Sequence, residues 1–163
     1  MTAFVGAQLD QSYTLADLTG TNSGKVPGIG DLFVSHDNKA YRFVRYLGGA
    51  GAIAAVIGNA VGFYAPGGVS TGVSNDVTSD VSDTIGALAG VLMSTPASGD
   101  YAWIQVAGIT TLTPALVSGA DGNALTLSST TDGTLKVAAA VTDAGGAVAI
   151  DASAKIVMLN CPR

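Results

Sequence analysis

Turn-forming clusters punctuate this chain about every ten residues from Gly30 onward, with short runs of β-branched and aromatic residues between them. Asp31–Val34 reads as a strand, His36-Asp37-Asn38-Lys39 as a turn and Ala40–Leu47 as a second strand. Ser98-Gly99-Asp100 then feeds Tyr101–Val106, which holds the single tryptophan and is closed by Ala107-Gly108. Ala124–Ser128 and Thr134–Ala138 flank Thr131-Asp132-Gly133, a hairpin signal, with Leu125, Leu127, Leu135 and Val137 on the alternating apolar positions. Val148–Ile150 and Ile156–Leu159 complete the series. Strands at this spacing predict an all-β, mainly β domain: a single β-sandwich or barrel-like unit with one or two short helices. There is no exact internal repeat.

Composition supports that reading. The 163 residues suit one domain, or one domain with an arm, and include no glutamate at all. With few lysines as well, the chain lacks the usual fillers of exposed helix faces. Only 12% of residues are charged, and 22 are glycine.

Other segments are less regular. Gly49–Gly58 can form a short helix, with Ile53, Val56 and Ile57 on one side. Val61–Tyr64 returns to strand. Ser70–Thr84 fits a helical face or a strand face, and its β-branched content favours strand and loop. Ala87–Ser94 reads as a buried strand, and Leu112–Val117 follows the tryptophan segment. In Ala40–Leu47 both faces mix apolar groups with a cation, Arg45 on one and Arg42 on the other, so neither is expected to be deeply buried throughout.

Charge and cysteine content narrow the function classes. The net charge of −5 and the scattering of seven basic residues argue against nucleic acid. A lone Cys161 cannot form an internal disulfide or a cysteine-rich zinc site. Leu47–Ala65 is uncharged for nineteen residues, but glycine and alanine dominate it, and a buried segment fits better than a membrane span. The N-terminus lacks the basic start and apolar run of a signal peptide.

Three spans resemble chemical motifs and fall short. Gly20–Val26 has three residues between its glycines, where a phosphate loop needs four, and Val26 supplies no hydroxyl for magnesium. Gly49–Ala54 matches a dinucleotide fingerprint, but the strand before it carries two arginines and no strand–helix alternation follows. Asp76, Asp80 and Asp83 could offer oxygens to calcium, but the spacing fits no calcium loop. His36 reads as a solvated turn residue, and Cys161 as a free thiol without catalytic duty. The sequence therefore assigns no catalytic, cofactor-binding or metal-binding residue and no enzyme activity.

Residues 1–30 show no steady period yet hold Phe4, Val5, Leu9, Tyr13, Leu15 and Leu18. The division expected is an N-terminal arm or loop segment, 1–30, ahead of a β-rich domain, 31–163. Phe4, Val5, Leu9 and Tyr13 are the candidate arm contacts, ordering against a neighbouring subunit or another surface. An ordinary first strand of the domain is the alternative.

The order of segments from Gly30 to Gly108 resembles the tailed-bacteriophage capsid decoration, or cement, proteins. GDLFVSHDNKAYRFVRY, AIAAVIGNAVGFYAPGG and VTSDVSDTIGALAGVLMSTPASGDYAWIQVAG carry the likeness. Within them Gly90-Val91 and Gly99-Asp100-Tyr101-Ala102-Trp103-Ile104-Gln105 with Gly108 match the family pattern. The resemblance implies a non-enzymatic virion protein on the outer surface of the capsid. Its implied partners are the major capsid protein and its own copies in a homotrimer, with no cofactor, nucleic acid or membrane. Trp103 and Tyr101 become the candidate core or interface anchors, Trp103 mostly buried with its indole N–H bonded. A phage head-fibre or tail-associated β-module and a secreted carbohydrate-binding β-sandwich are the other readings the composition allows.

Overall fold

The computed structural model describes residues 7–21, 23–64 and 75–162. It is a mainly β structure, 40% strand, built as a closed five-stranded barrel with six further strands and one short helix. The strands are β1 (Ser12–Tyr13), β2 (Leu32–Val34), β3 (Ala40–Tyr46), β4 (Ala60–Tyr64), β5 (Asp76–Thr78), β6 (Thr84–Leu92), β7 (Tyr101–Thr111), β8 (Ala124–Leu127), β9 (Leu135–Val137), β10 (Ala147–Asp151) and β11 (Ile156–Asn160). The helix is α1 (Leu15–Thr19).

The barrel runs β3-β5-β4-β6-β7 and closes through β3–β7 pairing, which sets Phe43 opposite Trp103 and Val44 opposite Ala102. β3 and β5 are parallel, and the other barrel pairs are antiparallel. Beyond β7 the sheet continues through β11, β10, β8 and β9. A five-stranded barrel has room only for side chains. Each barrel strand sends residues to the main core: Val44 and Tyr46 from β3, Val77 from β5, Val61 from β4, Val91 from β6, and Ile104 and Val106 from β7. Leu125, Leu135, Val157 and Leu159 extend this core under the outer strands.

The tryptophan strand is longer than its composition suggests. It does not stop at Ala107-Gly108 but runs to Thr111, because the irregularity there is a bulge rather than an end. Gly108 takes φ +91°, and Gln105, 2% exposed, donates from Nε2 to the carbonyls of Ala107 and Ile109, both at 3.1 Å. The side chain therefore serves backbone groups that the distorted ladder leaves over. With the bulge bridged, β7 pairs with β11 from Ala107 to Thr111. Leu112–Val117, expected as the next strand, is irregular chain.

Gly49–Gly58 is not a helix. Gly49 at φ +70°, Ala52 at φ +50° and Gly58 at φ +83° break any helical run, and the segment is a chain of turns. Two carboxylates pin it: Asp80 accepts from Gly51 N–H at 2.8 Å, and Asp83 accepts from Ala50 N–H. A side chain at Gly49 would collide with both. Within the ambiguous region, residues 75–84 resolve into β5, a single 3-10 turn at Val81–Asp83 and the start of β6; residues 70–74 lie outside the described residues.

Candidate interaction surface

In β3 the apolar residues of both faces are buried, while Arg42 on one face and Arg45 on the other stay part-exposed, so neither face is buried throughout, as expected; β7 is buried on both faces from Tyr101 to Ala107. One face fills the barrel. The other forms a second cluster outside it, made of Tyr41, Phe43, Tyr101 and Trp103, each no more than 5% exposed. Phe43 is the hub: its ring centroid lies 5.3 Å from Trp103, 6.2 Å from Tyr101 in a stacked pair, and 5.7 Å from Tyr13 edge-on. Phe33 of β2 stacks on Tyr41 at 6.1 Å. The cations that made β3 look half-polar are drawn to the strand's edge. Arg45 makes a two-pronged bond to Asp76 at 2.9 and 2.7 Å, and Arg42 Nη2 donates to Asn75.

What covers the aromatic cluster is the N-terminal segment. Ala7, Leu9, Tyr13, Leu18 and Val26 pack on it. β1 pairs with the start of β7, Ser12 opposite Ala102 and Tyr13 opposite Tyr101, in the slot left where β6 ends at Leu92. α1 follows at once, opened by a capping box. Thr14 Oγ1 accepts from Asp17 N–H at 3.3 Å, while the Asp17 carboxylate accepts from Thr14 N–H at 2.8 Å. Ser94 Oγ donates to the Gln11 carbonyl at 3.2 Å. No described side chain of 7–30 is itself fully buried, so the segment is a strap laid over the barrel.

Of the candidate arm contacts, the structure brings Leu9 and Tyr13 onto this face, together with the anchors Tyr101 and Trp103. Phe4 and Val5 lie outside the described residues. Leu15 points to solvent at 59% exposure. The sequence reading did not identify Tyr41, Phe43 and Phe33 as one cluster with Trp103. The signal was Tyr41/Phe43 alternation in one strand and Tyr101/Trp103 in another, but only the β3–β7 register sets them side by side.

One expectation fails at the tryptophan. Trp103 is buried on a central strand, but its Nε1–H has no hydrogen-bond partner among the described residues. The ring is packed against Phe33 and Phe43, whose rings offer no oxygen or nitrogen acceptor. Burial also pushes the phenols of Tyr13 and Tyr41 up, with Asp10 adding to the effect at Tyr13.

Among its described residues, the motif-like span Gly20–Val26 holds the short 3-10 turn Ser23–Lys25. The three aspartates are engaged by the protein itself: Asp76 pairs with Arg45, while Asp80 and Asp83 both accept from the Gly49–Gly51 turn, with Asp80 also accepting from Ser82 Oγ at 2.6 Å. Hydrogen bonds from Ser82 and then from Gly51 N–H hold the Asp80 carboxyl below the usual range. Among the described residues, no three His, Cys or Asp side chains gather in a metal-binding arrangement. His36 sits exposed in the β2–β3 turn. Cys161 is buried against the Gly146 carbonyl, and burial pushes its thiol up to about 12. No helix among the described residues is long and apolar enough to cross a membrane. Comparison with known proteins adds nothing to the geometry: no family model, curated protein or solved structure matches the chain.

Proposed function

We propose that the protein is a structural virion component that binds the outer surface of an assembled phage capsid, as a homotrimer, and stabilises it without catalysing a reaction. One observation carries this reading. The segment that most resembles the decoration proteins, Tyr101–Gly108, lies within the strand on which the whole molecule is assembled. β7 pairs with β1, β3, β6 and β11, so it joins the strap, the barrel and the outer sheet. The likeness therefore falls on the organising strand rather than on a surface turn.

The surface chemistry is compatible with docking. Leu32 and Val34 are 51% and 61% exposed on β2, and Ile109 and Met158, cross-strand partners on β7 and β11, are 52% and 44% exposed. Such groups gain by burial at about 25 cal/mol per Å². A surface with few charges gives up little solvation when it is covered. Repeated over a closed lattice, modest contacts of this kind add up through avidity.

The test is co-sedimentation of the purified protein with capsids lacking it, followed by imaging of the particles. Saturable binding and a higher disruption temperature of the decorated capsid are expected. Density on the tail, or no binding to capsids at all, would refute the proposal.

A further inference from the structure

The sheet path ends on β2 at one side and on β9 at the other. The β9 edge is covered: Val117 N–H donates to the Leu135 carbonyl at 2.9 Å, and Val137 N–H donates to Ser118 Oγ at 3.3 Å. The β2 edge is open. Phe43 N–H donates to the Asp31 carbonyl and Ser35 N–H to the Lys39 carbonyl, both at 2.9 Å, so β2 bonds to β3 through Asp31, Phe33 and Ser35. The N–H and C=O groups of Leu32 and Val34 therefore point away from β3, and they have no hydrogen-bond partner among the described residues. The two side chains share one face and are 51% and 61% exposed. Edge strands are ordinarily blunted by lysine, proline or a bulge, and Leu32-Phe33-Val34 holds none of these.

We infer that β2 is a two-fold contact between copies of this chain, the β2 edge of one pairing antiparallel with the β2 edge of the other. The register follows from the free groups. Centring the pair on Phe33 sets Leu32 opposite Val34 of the second copy, and Val34 opposite its Leu32. Every outward N–H then meets an outward C=O. The same register lays the exposed leucine and valine side chains against each other on one face. It also brings Asp31 opposite the neutral Ser35 of the second copy, so no like charges oppose. Free backbone groups, apolar side chains and flanking residues all match their own two-fold copies, which is the self-complementarity an isologous interface needs. A two-fold contact does not build a trimer. Under the capsid-binding reading it links a copy in one trimer to a copy in the next, but it stands without that reading.

Cross-linking between two single variants of the full chain tests occupant and register together. Leu32→Cys and Val34→Cys place thiols at bonded positions of the ladder, where Cα atoms lie about 5.5 Å apart and within disulfide reach. Two copies of one variant put their thiols on a diagonal, about 7–8 Å apart. Mild oxidation of the mixed variants should give covalent dimers in about tenfold higher yield than either variant alone; the buried Cys161 is common to all samples. Equal yields, or no dimer from the mixture, overturn the inference. Sedimentation gives a second readout without any thiol. The mass of the wild type should double as its concentration rises towards about 1 mM. Val34→Lys should lower the doubled fraction about tenfold and leave the melting temperature unchanged. A wild-type mass that ignores concentration, or a Val34→Lys protein that doubles as the wild type does, equally refutes the contact. Loss of capsid binding by Val34→Lys, with a wild type that never doubles, would give the edge to a capsid strand instead. The cross-linking and sedimentation assays use free protein, so their failure leaves capsid binding itself untouched.

Discussion

Trp103 shows how a single side chain can be well packed and poorly served at once. Its ring touches Phe33 and Phe43 at the centre of the outer cluster, yet its N–H is unbonded. Truncation removes the packing and leaves a cavity between strap and barrel, so Trp103→Ala should cost about 3–5 kcal/mol in urea unfolding. Conversion to Phe removes a donor that has no acceptor but also part of the ring's bulk, so it should cost clearly less than truncation to Ala. Gln105 is the opposite case, a buried amide with both its protons used. Gln105→Leu keeps the bulk but strands two carbonyls at the bulge, and a loss of about 2–4 kcal/mol is expected from the same measurement.

At the scale of elements, the strands were legible because turn chemistry marks their ends: β2, β3, β4, β8, β9, β10 and β11 fall within a residue or two of the boundaries expected from Gly, Asp and Asn clusters. Three features were not legible, each for a physical reason. Gly49–Gly58 has helical spacing, but two aspartates some thirty residues away hold it in positive-φ turns. Ala107-Gly108 looks like a stop, but the ladder only bulges just before it, between Gln105 and Ala107, and the strand runs on. The aromatic face depends on the β3–β7 register, which local pattern cannot fix. α1 had a usable signal in Thr14-Leu15-Ala16-Asp17, a capping box, but five residues are too few to show a period. That box makes a test of the strap as an element. Thr14→Ala removes the cap at a cost of about 1 kcal/mol to α1. It should speed amide exchange in residues 12–19 and raise acrylamide quenching of Trp103, while β4, β6 and β11 exchange as before. Unchanged quenching would mean that the strap holds without its helix.

For the whole molecule, charge and burial together set the pH range in which the fold survives. Asp17, Asp37, Asp80, Asp143 and Asp151 all sit below the usual carboxylate range, mainly through local hydrogen bonds from hydroxyls and backbone N–H groups. A depressed folded value means that stability is fully present above the unfolded value of about 3.9 and drains away as pH falls through the folded ones. On the alkaline side the sign reverses. Burial raises Tyr46 and pushes Cys161 up to about 12, so both favour the folded state only while protonated. An unfolded thiol titrates near about 8.5, well before an unfolded phenol at about 10. Between these two values Cys161 is the group that ties folding to proton uptake, and stability should fall by up to about 1.4 kcal/mol per pH unit there. Cys161→Ser removes the titration and replaces the weak Sγ contact to Gly146 with a hydroxyl able to donate to the same carbonyl. At pH 7 the variant should lie within about 1 kcal/mol of the wild type. Between pH 8.5 and 10 its stability should stay flat while the wild type declines, as read by urea unfolding across that range. Parallel declines in the two proteins would place the alkaline limit elsewhere, and would mean that the terminus after β11 opens before the thiol has to be deprotonated inside it.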